Sequence, residues 1–294
     1  MSENSRFSEL LLGKALPKNH LRKSQARLSA MFQRRFAEVN ARQKEHRAHN
    51  EASMRVLRDL AGKDRSVGAA VTQARKRSAA LAGARLPLPK RSKVAPRARV
   101  GSFDMTFAPP YSWPWQWSAT TGPDATSDVT ANQNAGTMSF DSWTGQNGKT
   151  ASGAVAVGVY YQPDPLLICG DSGMMNVSST PAFHYLWDSS NVFDSSHTGA
   201  FIGLYVGEYT LGGDFVQAVV DQQISLWNSG GGSDQGSNSG YGLFASTPVD
   251  TSHFYEIWVW AGGDAEADGW SLFWGSAALS SASLTVPSIS IHVY

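Results

Sequence analysis

The sequence predicts a mainly β protein, an antiparallel two-sheet sandwich of jelly-roll type, preceded by a basic α-helical arm. Three observations predict it. Charge is sorted along the chain: residues 1–100 hold 24 of the 25 Lys and Arg beside 7 acidic residues, and residues 101–294 hold Lys149 alone beside 17. The two parts are therefore about +17 and −16, although the formal net charge is +1. No Pro or Gly interrupts the chain between Pro17 and Gly62, which permits one long helix. From Ser102 onward, short apolar or alternating runs are separated by Gly, Ser, Asn, Asp and Pro, the texture of strands and turns, and all ten Trp lie there.

Asn19 can cap the long helix and Gly62 can end it, giving about 40 residues and roughly 60 Å. Leu28, Met31, Phe32, Phe36 and Val39 form one apolar stripe, and Met54, Leu57 and Leu60 another. Residues 40–52 between them are polar all round, supported by pairs such as Glu38 with Arg42 and Glu51 with Arg55. Sustained heptads are absent, so a continuous coiled coil is not expected. A second helix is predicted over about residues 66–82, and "ARLPLPKRSKVAPRARV" reads as an extended linker. The predicted organisation is a basic helical arm over 1–83, a Pro-, Arg- and Lys-rich linker over 84–101, and an acidic, Trp-rich sandwich over 102–294.

An excess of positive charge extending over a hundred residues attracts polyanions by counterion release, with affinity that falls in salt. Arg34, Arg35, Arg75, Lys76, Arg77, Lys90, Arg91, Lys93, Arg97 and Arg99 are the candidate contacts. Nucleic acid, an anionic membrane surface and the acidic half of the same chain all fit as partners. No zinc-finger spacing, RNA-recognition signature or phosphate loop is present, so contact with nucleic acid would be unspecific.

In the acidic part about eleven runs read as strands. The segment 228–240, "NSGGGSDQGSNSG", holds nothing able to pack and is expected to be a mobile loop. Pro287 is expected at a bulge or edge, because Leu284 and Val286 share one parity and Ile289, Ile291 and Val293 the other.

Cys169 stands alone, so neither a disulfide framework nor a cysteine-rich zinc site holds the fold together. No run approaches the 18 apolar residues or so of a membrane-spanning helix. Glu3 and Glu9 precede the run Leu10–Leu12, which is far short of a secretory signal, so the chain is expected to be made in the cytoplasm without one.

Five features bear on chemistry. Trp113, Trp115 and Trp117 in "SWPWQW" share a face if extended, a platform suited to stacking on sugar rings, or else core buried in the sandwich or under the arm. Pro114 holds that segment to an edge. Glu208 and Glu256 are the only glutamates in predicted strands, and two glutamates facing across a groove would form a glycosidase pair. In its Trp, Tyr, Gly and Ser content this part is similar to the small jelly-roll xylanases, whose local motifs it lacks. "DAEADG" places Asp264, Glu266 and Asp268 as in half of a calcium loop, but Gly275 stands where the bidentate carboxylate belongs, so a charged hairpin turn is expected. "CGDSG" around Ser172 resembles the nucleophile motif of trypsin-like proteases, yet every earlier histidine lies in the basic arm, which excludes the triad. His184, His197, His253 and His292 show no paired ligand spacing and are expected to be lone residues.

No cofactor and no strong metal site is expected. The favoured reading is a non-enzymatic module that binds a neutral ligand such as a glycan while its arm anchors to a polyanion. One alternative is a coat or assembly protein, since a basic arm followed by a sandwich of this size resembles the plan of small RNA-virus coat proteins. Homo-oligomers built arm onto acidic sandwich belong to the same class. The other alternative is a glycoside hydrolase using Glu208 and Glu256.

Overall fold

A computed structural model describes residues 20–66, isolated positions from there to 76, and residues 103–122, 124–145, 149–165, 168, 171–190, 196–267 and 277–294. Arg75, Arg77, the linker residues Lys90, Arg91, Lys93, Arg97 and Arg99, and Asp268 lie outside the described residues. Lys76 is helical and exposed.

Helix α1 spans His20–Lys63, 44 residues. It continues through Gly62 to a stop at Asp64, whose carboxylate accepts hydrogen bonds from the Ser66 N–H (2.8 Å) and hydroxyl (2.7 Å) and so caps the helical residues that follow. Among the helix side chains described, Ser24, Leu28, Phe32 and Val39 are the buried positions, and their spacing keeps them on one face. No helix among the described residues is long and apolar enough to cross a membrane.

The rest of the described chain is mainly β. In chain order the strands are β1 (Phe103–Phe107), β2 (Trp113–Thr120), β3 (Ala125–Asn132), β4 (Thr137–Thr144), β5 (Lys149–Tyr161), β6 (Ser172–Ser179) and β7 (Ala182–Ser190). They continue with β8 (Ser196–Thr210), β9 (Phe215–Ser229), β10 (Gly232–Asn238), β11 (Leu243–Asp250), β12 (His253–Ala267), β13 (Ala277–Thr285) and β14 (Ile289–Val293). They form three antiparallel sheets, not the expected two: β2-β5-β12-β8-β9, β10-β7-β13-β4-β3 and β1-β14-β6-β11. The arrangement is sandwich-like. The first sheet packs across the second through β5 on β3 and β4 and β12 on β4 and β13, while β11 of the third sheet reaches β8 and β9.

Pro287 accounts for part of the extra sheet. It lies between β13 and β14, in the break where the chain leaves the second sheet for the third. Pro114 and Pro248 fall on β2 and β11, both end strands of their sheets, where the missing N–H leaves no gap in a ladder.

Two expectations are corrected here. Most of the segment expected to be a mobile loop is β10, paired with β7 from Gly232↔Ser189 to Asn238↔Phe183. Ladder bonds need no apolar side chain, and Tyr185 supplies the packing: its ring lies against Gly236 and its hydroxyl donates to Asp234 (3.0 Å). Asp264 and Glu266 lie within β12, paired with β5 and β8 through Ala267, rather than in a hairpin turn.

Side-chain alternation divides the first sheet. Val155, Val157, Val159, Leu204, Val206, Ile257 and Val259 point inward, into a core shared with Met138, Phe140 and Leu284 of the second sheet and Val177, Ile289 and Ile291 of the third. The opposite face carries the aromatic tract and is covered by α1.

Candidate functional site

The outer face of the first sheet has its composition set by register. Trp113, Trp115 and Trp117 of β2 pair with Gly158, Ala156 and Ala154 of β5, which pair in turn with Trp258, Trp260 and Gly262 of β12. Small residues on the middle strand leave a trough between two ridges of indole. Gly158 is required there, because a Cβ would come within 2.7 Å of Trp113 Nε1 and 2.8 Å of Trp258 Cε3. Gly203 on β8 is tighter, since its Cβ would meet the Gln222 carbonyl at 1.9 Å and the Trp260 ring at 2.7 Å.

Helix α1 fills this trough. Leu28 and Phe32 join Trp113, Trp115, Trp258, Trp260 and Tyr205 in one buried cluster, with Trp117 packed at its margin. The Phe32 ring centroid is 5.3 Å from Trp115, 5.9 Å from Trp117 and 5.3 Å from Trp260, the last edge-on. Trp113 and Trp115 are 6% and 4% exposed, so the sequence-predicted platform lies beneath the arm.

Polar contacts frame the seam. Gln25 Nε2 donates to the Pro114 carbonyl (3.2 Å), and Trp115 Nε1 donates to the Ser29 hydroxyl (3.4 Å). Lys23 pairs with Asp214 (3.0 Å), and Arg27 sits 3.6 Å over the Phe215 ring. Arg35 lies 3.4 Å over Phe201 and 3.7 Å from Asp264 Oδ2, while Ser152 donates to Asp264 Oδ1 (3.0 Å). Arg35, a predicted polyanion contact, thus engages its own acidic part, and Asp264, one of the carboxylates of the half calcium-loop pattern, faces that guanidinium. Glu266 lies 3.8 Å from His197 Nδ1, and Arg34 is exposed on the helix.

The trough is not fully satisfied. Among the described residues the buried indole N–H groups of Trp113, Trp258 and Trp260 have no hydrogen-bond partner. A buried donor left unmade costs about 1–3 kcal/mol.

The two glutamates are separated by alternation. Tyr255 pairs with Glu208 and Glu256 with Gly207, so their side chains leave opposite faces of one sheet. Glu256 is fully buried under the helix near Tyr209, with Ser24, also buried, close to the same hydroxyl. Burial and the Glu256 charge push the Tyr209 hydroxyl well above the usual phenol value, against the opposing pull of Ser24. Burial likewise pushes Tyr205 up to about 12, with Arg27 opposing it. The geometry does not bring the glutamates across one groove.

Glu208 instead belongs to a second cluster, which the sequence did not reveal because its members come from β8, the end of β11 and the start of β12. His253 Nδ1 lies 2.8 and 2.7 Å from the two Asp250 oxygens and 3.5 Å from Glu208 Oε1. The Tyr255 hydroxyl donates to Glu208 Oε1 (3.1 Å) and accepts from the Asp250 N–H (3.0 Å), and Gln217 Nε2 donates to Glu208 Oε2 (2.8 Å). Partial burial works to raise the Asp250 pKa, but hydrogen bonds from Ser252 and His253 outweigh it and hold the carboxyl below its ordinary value. His253 is therefore not a lone residue, and neither is His292, whose Nδ1 pairs with Asp104.

No family model and no curated protein matches the sequence. Among solved structures the chain is similar to the glycoside hydrolase domain of Endo-D from Streptococcus pneumoniae R6, at 12% identity and a TM-score of 0.18, over 60% of this chain and 21% of that one. It is also similar to the family 11 carbohydrate-binding module of a cellulosomal cellulase of Clostridium thermocellum, at 9% identity and a TM-score of 0.16, over 64% of this chain and 96% of that one. A third is the infectious bursal virus protein in T=1 particles, at 12% identity and a TM-score of 0.17, over 72% of this chain and 40% of that one. The chain thus spans about a fifth of the length of the Endo-D domain structure. Likenesses this slight carry no argument about function, which rests on the residues themselves.

Proposed function

We propose that the protein is a non-enzymatic binding module, in which the basic N-terminal region anchors to a polyanion and the aromatic trough of the first sheet takes a neutral, hydroxyl-rich ligand such as a glycan. The observation that carries this reading is the set of unpaired indole N–H groups of Trp113, Trp258 and Trp260 beneath α1. A sugar stacked on the tract would accept those hydrogen bonds and bury its apolar face against the rings. Helix α1 would then be a roof, displaced when its basic residues turn from Asp214 and Asp264 to an external polyanion.

Two measurements test this reading. Binding of heparin and of duplex DNA to the full chain is expected, with affinity falling steeply as salt is raised. Glycan arrays are expected to give weak signal with the full chain and stronger signal with Phe32→Asp, which opens the roof. Arrays dark for both proteins end the glycan part of the reading, and salt-insensitive or absent polyanion binding ends the other part. Nucleic acid co-eluting with a large particle on size exclusion would move the protein to the coat or assembly class.

A further inference from the structure

We propose that Glu208, Asp250 and His253 form a divalent-cation site, with zinc as the ion that fits best, at the end of the sandwich where β8, β9 and the β11–β12 turn meet. Each residue offers one ligand atom, and those atoms lie within 4.8 Å of one another. Four-coordinate zinc with bonds of about 2.0–2.1 Å sets its ligands roughly 3.3 Å apart. The His253 Nδ1 distances of 2.7 Å to Asp250 and 3.5 Å to Glu208 bracket that spacing.

The surroundings are those of a metal centre. His253 Nδ1 faces two carboxylates, whose ionised oxygens are all acceptors, so either a ring N–H proton or a cation must lie between them. Both Glu208 oxygens are already oriented, Oε1 by Tyr255 and Oε2 by Gln217, and Asp250 Oδ1 is held by the N–H (2.8 Å) and hydroxyl (2.6 Å) of Ser252. Such outer-shell donors fix ligand geometry. An entry path exists, because the side chains of Asp250 and His253 are 34% and 24% exposed while Glu208 forms the floor at 9%. One imidazole and two carboxylates suit zinc better than calcium, which prefers an all-oxygen shell, and three protein ligands leave a position open.

The test is titration of the full chain, stripped with chelator, with Zn2+ at pH 7.5 by calorimetry, with Ca2+ as the comparison ion. One Zn2+ per chain is expected, together with a rise in thermal midpoint that chelator reverses. Tyr255→Phe is expected to weaken binding by about 10- to 100-fold without removing it. Binding should vanish in His253→Ala and in Asp250→Asn, both partly exposed positions whose variants are expected to fold; circular dichroism without metal checks this. Replacing Zn2+ with Co2+ adds a visible absorption band that reports ligation directly. The proposal is overturned if Zn2+ produces neither heat nor a thermal shift, which leaves the proton as the occupant, or if binding persists in the double variant of Asp250 and His253.

Discussion

Replacing Phe32 with Ala should release the docked half of α1 from the first sheet. Burying a Phe side chain is worth about 1.5–3 kcal/mol, and each good aromatic pair adds about 0.5–1.5 kcal/mol. Phe32 is 4% exposed and its ring contacts Trp115, Trp117 and Trp260, so a loss of about 3–5 kcal/mol is expected, the range for Phe→Ala in a core. The polar contacts of the seam cannot replace it. Lys23–Asp214 joins side chains 52% and 77% exposed, which puts it among surface pairs worth about 0–1 kcal/mol. The two cation–π contacts of Arg27 and Arg35 contribute roughly 0.5–2 kcal/mol each. The seam should therefore hold in high salt and fail on loss of one ring. Tryptophan emission reads the outcome, because five of the ten indoles line the trough: Phe32→Ala should red-shift emission, increase acrylamide quenching and admit protease to α1, while Lys23→Ala should do little. Wild-type emission that shifts on raising salt to 0.5 M, with Phe32→Ala unchanged, would refute the claim that apolar burial holds the arm.

Three further outcomes follow from the same geometry. Gly158→Ala should destabilise the sheet by about 1–3 kcal/mol in urea unfolding, and Gly203→Ala should do more damage, since its Cβ meets a backbone carbonyl rather than rings that can shift. Tyr205, and Tyr161 on the inner face, have hydroxyls pushed up to about 12 by burial. The folded protein therefore resists their ionisation, and their contribution is intact below pH 10 and lost as pH rises from there through about 12. Absorbance at 295 nm should show their ionisation together with alkaline unfolding; free ionisation at pH 10 in the folded state counts against their burial. The lowered Asp250 pKa works in the opposite direction: its contribution is present above the ordinary carboxyl value near 3.8 and lost as pH falls through the depressed value. The stability difference between wild type and Asp250→Asn should then shrink in acid, and a difference unchanged between pH 6 and pH 2 would contradict the assignment.

Much of the fold was legible because it follows from periodicity. The long helix and the Pro114 edge rest on local backbone chemistry, which the sequence displays directly, whereas Pro287, expected at a bulge or edge within one strand, separates two strands of different sheets. Three strands were not legible. Ala125–Asn132, Ser172–Ser179 and Gly232–Asn238 are rich in Ser, Asn, Thr, Asp or Gly, and they pair through backbone groups whose partners lie far away in sequence. The third sheet was hidden for the same reason, since strand order is set by long-range pairing. At the site, period two placed the three tryptophans on one face, and two rows of register decided what lay opposite. The sequence could not show that Glu208 and Glu256 face apart, although adjacent strands in antiparallel register make the parity of the pair decisive. The Glu208, Asp250 and His253 cluster needs the β11–β12 turn folded against β8, and only tertiary structure supplies that.

The sorting of charge takes on a different meaning once the helix is docked. A separate basic arm and acidic sandwich would attract each other diffusely, through a screened field that salt weakens. Here Leu28 and Phe32 convert that attraction into a fixed register, and Lys23, Arg27 and Arg35 are brought to Asp214, Phe215, Phe201 and Asp264 by the apolar seam. On the proposed function those three basic residues have two competing uses, inward to the sheet and outward to a polyanion. Because both uses draw on the same side chains, a polyanion that captures them must weaken docking by the same free energy that docking withholds from the polyanion. Phe32→Ala should accordingly tighten heparin binding while leaving the number of basic residues unchanged. Equal affinity in the two proteins would mean that the docked and anchoring surfaces are separate.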